Sequence, residues 1–241
     1  MNTARNSASK TASKTAMSTV MTFAGNRLAL IGVAGLCAIT LVGCGSKPVQ
    51  PAWKANASSS LSAFSDAYLK GDTALADTEF ARARSELAST GRPDLVAHAE
   101  LVRCATRVAS LEYDNCPGFA AVAQDASAAE RAYADYLDGR WQAVDPLLLP
   151  EQQRAIMQGK ALDTLTDPLS RQVAAGVLMK AGRITPADML VAADTASAQG
   201  WRRPLLMWLG VSLKRAQASG NADEADRIQR RISLAAAPAR P

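Results

Sequence analysis

The strongest constraint on this chain is a rhythm of glycines at the ends of segments with helical apolar spacing. Gly71 and Gly91 lie 20 residues apart, Gly182 and Gly200 lie 18 apart, and Gly200 and Gly220 lie 20 apart. Around them large apolar residues recur at helical intervals, as in Leu61, Phe64 and Tyr68, or Leu205, Leu209 and Leu213. That spacing gathers side chains on one face of an α-helix. Glycine supplies the left-handed backbone on which helices end. Helix starts are marked too: Asp72 and Thr185 can cap with their side chains, and Pro93 and Pro186 suit a first turn. No segment alternates with period two over a strand's length, and aromatic residues are only 5% of the chain. The expected fold is all-α, built from antiparallel helical hairpins. Helices are predicted over 53–69, 73–89, 93–111, 126–138, 169–181, 186–199, 202–219 and 222–235. Shorter helical pieces are predicted over 141–149 and 151–162, split by Pro146 and Pro150, with stops at Gly139 and Gly182.

Ahead of the helices stands a different kind of sequence. Residues 1–27 carry Arg5, Lys10, Lys14 and Arg27 and no acid, and residues 28–42 carry no charge at all. Crossing a bilayer takes roughly 20 apolar residues. A basic leader with a shorter apolar run is the signature of a secretory signal peptide. The run ends in Leu41-Val42-Gly43-Cys44. These four residues resemble the lipobox of bacterial lipoproteins. The resemblance implies that the Cys44 thiol is acylated with a diacylglyceryl group and that residues 1–43 are removed. Gly45 is not the aspartate that retains lipoproteins at the inner membrane, which implies the periplasmic face of the outer membrane. Each buried methylene contributes about 0.8 kcal/mol, and two acyl chains suffice for stable anchoring. The expected organisation is a signal peptide over 1–43, a lipidated Pro-containing tether over 44–52, a helical domain over 53–236 and a loose tail over 237–241.

Within the helical domain, Gly71-Asp72 followed by Ala76, Phe80 and Ala83 resembles the tetratricopeptide repeat. The resemblance implies a superhelix of stacked hairpins. Gly182 and Gly220 open similar stretches that depart from the pattern at Asp194 and at Gln229 and Ile232. An irregular helical bundle is therefore the other expectation. Under either reading the matching positions are packing residues, not ligands.

Removal of the leader leaves Cys104 and Cys116 beside the acylated Cys44. The periplasm is oxidising, so these two are expected to form a disulfide. Two thiols and the single His98 do not make a structural zinc site, and no metal or cofactor is expected. Charge also changes on cleavage. The leader holds 4 of the 27 Lys and Arg and none of the 22 Asp and Glu, leaving 23 against 22, a net of +1. Nucleic acid is not an expected partner. Bases concentrate near the C-terminus, and Arg202, Arg203, Arg227, Arg230 and Arg231 are candidates for contact with lipid head groups or an acidic partner.

The chain lacks the motifs of common catalytic sites. It has no Gly-x-Ser-x-Gly elbow, no phosphate loop, no Gly-x-Gly-x-x-Gly and no His-Glu-x-x-His. What remains is carboxylate chemistry, for which Glu79, Glu86, Glu112, Glu130 and Glu151 are the candidates. None stands in the Glu-Ser pattern of lytic transglycosylases. The expected function is a non-catalytic envelope adaptor held on the membrane by its N-terminal lipid and binding another envelope protein. A peptidoglycan-acting carboxylate glycosidase is the alternative.

Overall fold

The computed structural model describes residues 51–237, so the leader, Cys44 and the end of the tail lie outside the described residues. The helices are α1 (Ala52–Lys70), α2 (Thr73–Ala88), α3 (Pro93–Val108), α4 (Pro117–Ala120) and α5 (Ala128–Leu137). After them come α6 (Glu151–Met157), α7 (Pro168–Lys180), α8 (Pro186–Gln199), α9 (Arg202–Ala218) and α10 (Ala222–Ala236). The described residues contain no strand, and none of their helices is long and apolar enough to cross a membrane. The fold is all-α.

The punctuation acts where the sequence places it. Gly71, Gly91, Gly139, Gly182, Gly200 and Gly220 all take positive φ, between 65° and 94°. At Gly71 the backbone N–H donates to Tyr68, which turns α1 into α2 within two residues. Asp72 Oδ1 accepts from the Leu75 N–H at 3.0 Å. Thr185 and Asp188 form a reciprocal capping box at the start of α8.

The middle of the chain departs from the predicted helices. The third helix ends at Val108 rather than 111. Leu111 takes φ 58°, and the Glu112 N–H donates to the Arg107 carbonyl at 3.0 Å, closing a Schellman turn without glycine. The piece predicted over 141–149 is two single 3₁₀ turns, Trp141–Ala143 and Pro146–Leu148. The piece predicted over 151–162 is helical only to Met157, because Gly159 takes φ 85°. The fourth long helix begins at Ala128, two residues later than predicted, where Ser127 and Glu130 form a capping box.

Helices α1 and α2 pair around Phe64, Tyr68, Ala76 and Phe80 and rest on α3. A central core gathers Leu101, Cys104 and Val108 of α3, Tyr136 and Leu137 of α5, and Val173 and Val177 of α7. Beyond it, α7, α8 and α9 share a core around Trp208, and α9 and α10 pair over Leu209, Ala216 and Ile228. The start of α9 returns to α1. Arg203 donates to the Tyr68 carbonyl at 2.7 Å and to Thr73 Oγ1 at 2.7 Å, pairs with Glu112 at 3.3 Å, and lies over the Tyr68 ring at 4.1 Å.

Cys104 and Cys116 are disulfide-bonded, with 5.4 Å between their Cα atoms. The bond ties the core face of α3 to the start of α4. Asp114 is the third potential metal ligand beside them, but both thiols are consumed by the bond. Replacing both cysteines by alanine should lower unfolding stability by up to about 3 kcal/mol, the loop-entropy limit for a segment of this length. Urea denaturation of the double variant against the oxidised parent measures it.

Candidate functional site

One stripe of α3 faces a groove between its neighbouring helices. His98, Leu101, Val102, Ala105 and Thr106 follow the three-and-four spacing of a single helix face and floor an apolar groove of about 610 Å³. The walls are the first two turns of α5 and α7, through Ala129 and Tyr133 on one side and Leu169 and Val173 on the other. The remaining edge is Leu147-Leu148-Leu149. A second hollow of about 350 Å³ shares Val102 and Leu169 with the first and extends it toward Leu61 and Leu69 of α1 and Trp201.

The leucine edge is held out of a helix by local chemistry. Pro146 and Pro150 bracket it, and each removes a backbone donor. Asp145 Oδ1 accepts from the Leu147 N–H at 2.9 Å, which sets the turn. Arg154 of α6 donates to the Leu149 carbonyl at 3.0 Å and fixes its end. Leu147 is left 71% exposed and Leu148 39%, at the groove's mouth. The two exposed leucines adjoin on a concave apolar surface.

Polar groups in the groove are few, and most are committed. The Glu130 carboxylate accepts from the Ser127 N–H at 2.8 Å, and Asp167 accepts from the Ser170 N–H at 2.6 Å. Both carboxylates are helix caps. His98 is exposed at the rim. Two neutral groups are different. Gln153 is 3% exposed and lines the groove, yet its side chain has no hydrogen-bond partner among the described residues. Tyr133 also lines the groove, and burial, followed by the Asp167 charge, pushes its hydroxyl pKa well above the ordinary 10.0.

Other carboxylates named from the sequence lie away from the groove. Glu79 pairs with Arg82 at 3.4 Å, and Glu86 accepts from Asn56 at 3.0 Å. Glu112 accepts from the Tyr68 hydroxyl at 2.6 Å and pairs with Arg203. Glu151 is the exposed first residue of α6. Buried Glu100, not singled out in the sequence, is held between Arg84 at 3.1 Å and Arg103 at 2.6 Å.

The five C-terminal arginines have different surroundings. Arg203 is engaged at the α1–α9 junction, where each guanidinium nitrogen donates to Tyr68, Glu112 or Thr73. The Arg202 side chain lies over Gly71, where an added Cβ would come within 3.2 Å of it. Arg227 pairs with Glu224 of its own helix at 2.6 Å. Arg230 and Arg231 lie on α10, exposed and half-buried respectively.

Sequence reasoning missed Gln153, Tyr133 and the leucine edge as members of one site. The signal for the last was present: three consecutive leucines between prolines, in a stretch with no partner for a fully apolar turn.

Tyrosine chemistry gives a pH prediction. Burial is the main cause that raises the pKa of Tyr68, Tyr133 and Tyr136 above 10.0 in the folded chain. A folded value above the unfolded one means this stability is intact below pH 10 and is lost as pH climbs toward the folded values. Tyrosinate absorbance is therefore expected to appear together with loss of helical circular dichroism above pH 10. Ionisation of these tyrosines well before unfolding would contradict their burial.

No protein-family model, curated protein or solved structure matches this chain.

Proposed function

We propose that this chain is a periplasmic lipoprotein, anchored through acylated Cys44, whose helical body is a non-catalytic adaptor that binds an envelope protein in the α3 groove. The observation that carries the reading is the groove itself: an open, leucine-edged surface on which both nearby carboxylates, Glu130 and Asp167, serve as helix caps. A glycosidase needs one carboxylic acid free to deliver a proton. Capping commits Glu130 to the Ser127 N–H, which supports binding over hydrolysis. The lipobox supports the compartment, and the Cys104–Cys116 disulfide suits an oxidising one.

The test places a photo-crosslinking amino acid at Leu148 in intact cells. A discrete adduct with an envelope protein, lost when Leu147→Asp is added, is the expected result. An adduct indifferent to Leu147→Asp argues against the groove. Release of muropeptides from purified sacculi by the wild-type chain, abolished by Glu130→Gln, would replace the adaptor by the glycosidase. The anchor is tested separately: Cys44→Ser should leave the precursor uncleaved and free of lipid label.

A further inference from the structure

We infer that the α3 groove takes an extended, apolar peptide segment flanked by basic residues, which it grips through main-chain hydrogen bonds to Gln153 and Tyr133. This rests on the groove being a protein-binding site, as proposed above, and names what it binds.

The apolar floor and leucine edge alone would accept a lipid chain, a helix or a strand-like peptide. The neutral polar groups inside decide between them. Gln153, 3% exposed, lines the groove wall and makes no side-chain hydrogen bond among the described residues, and Tyr133 lines the same space. An acyl chain would seal both away from water with nothing to bond, a cost of about 1–3 kcal/mol for each stranded group. A helical ligand would do little better, because its backbone N–H and C=O groups are already paired within the helix. An extended segment carries free donors and acceptors at every residue. The glutamine amide offers a donor and an acceptor side by side, the complement of a peptide unit. Alternate side chains of such a segment then fall into the hollows, as in other extended-peptide sites.

Charge sets the flanks. Glu130 and Asp167 contribute two negative charges to the groove lining, and Arg154 contributes one positive charge. The Arg154 guanidinium donates to the Leu149 carbonyl at 3.0 Å, with the Leu147 carbonyl at 3.5 Å. The second hollow adds Asp66, beside Lys70. Lysine or arginine at the ends of the segment would meet a net negative rim.

The test uses the mature full-length chain and a dye-labelled peptide of alternating leucine and valine with lysines at both ends, read by fluorescence anisotropy. The matched probe has its central backbone amides N-methylated, which removes donors and keeps every side chain. Palmitate and a hydrocarbon-stapled helical version of the peptide are competitors. The expected result is that N-methylation weakens binding to the wild type about tenfold, the worth of one hydrogen bond. Gln153→Met, close in volume and unable to bond, should bind both peptides alike. Added salt should weaken the lysine-flanked peptide.

Equal binding of the two peptides by the wild type overturns the inference. So does tighter binding of the stapled helix, or displacement of the peptide by palmitate. In those cases a groove-dependent crosslink in cells would keep the adaptor reading intact. Failure of every peptide together with absence of that crosslink would remove both. Because N-methylation alters the ligand, the outcome does not depend on whether the Gln153→Met variant folds.

Discussion

Replacing Trp208 by alanine is expected to cost about 5 kcal/mol of unfolding stability, as much as the whole stability of a marginal domain. Trp208 is fully buried in α9, among Ile156, Leu162 and Ala192. Truncating a buried tryptophan removes its transfer energy and leaves a cavity, together about 3–5 kcal/mol. A second loss comes from polar chemistry. The Trp208 indole N–H donates to Gln172 Oε1 at 2.9 Å, and Gln172 Nε2 donates to the Ala192 carbonyl at 2.5 Å. Gln172 is itself fully buried, so losing the indole strands its oxygen at a further cost of about 1–3 kcal/mol. Trp208→Phe separates the two, since it keeps most of the ring and strands the same oxygen. Combining Trp208→Phe with Gln172→Met removes both partners, and the pair should cost less than the sum of the singles. A Trp208→Ala variant that unfolds within about 1 kcal/mol of the parent in urea would contradict this account of the core.

Gly176→Ala should be strongly damaging for a single added methyl, lowering stability by about 3 kcal/mol. Gly176 is fully buried in α7 where that helix crosses α3. A Cβ there would run into the Val108 carbonyl oxygen, which is backbone and cannot rotate aside. The Tyr113 hydroxyl also donates to the Gly176 carbonyl at 2.9 Å and would be pulled out of register. Alanine's better helix propensity returns only about 1 kcal/mol. Gly210, inside α9, is the control: nothing lies within 4 Å of a Cβ placed there. Gly210→Ala should therefore be neutral to stabilising by up to about 1 kcal/mol. If both glycines tolerate alanine equally, α3 and α7 are not as close as described. Function should follow the same contact. Val173, one turn before Gly176, is part of the groove wall, so prying α7 from α3 should also weaken the Leu148 crosslink.

These two residues look ordinary in the sequence. Nothing about Gly176 separates it from the helix-stopping glycines except its place in the middle of an apolar run. Trp208 could be read as a core residue from its neighbours Leu205 and Leu209, but its pairing with Gln172 spans 36 residues and has no local mark. The groove is similar. The apolar stripe of α3 is plain in the spacing of Leu101, Val102 and Ala105, and a reader would give it to a neighbouring helix. That a groove opens over part of it depends on how α5 and α7 approach, and on a leucine segment that two prolines and an aspartate cap keep out of a helix.

The sequence by itself determined what is local. Glycine at a left-handed turn, a cap three residues before an N–H and apolar residues on one helical face each act within about a turn, so their positions alone fix helix ends and buried faces. The glycine stops and the caps at Asp72 and Thr185 stand where the chain places them. The cysteine pair was legible for a related reason, since oxidation in a short segment leaves few partners. Tertiary structure decided what depends on distant contacts. It turned Arg203 from a free cation into the link between α9 and α1, capped the α5 start with Glu130, and left Gln153 buried in an open groove. A charged or polar side chain takes its role from whichever partners the packing brings within hydrogen-bond reach, and those partners can be any distance away along the chain.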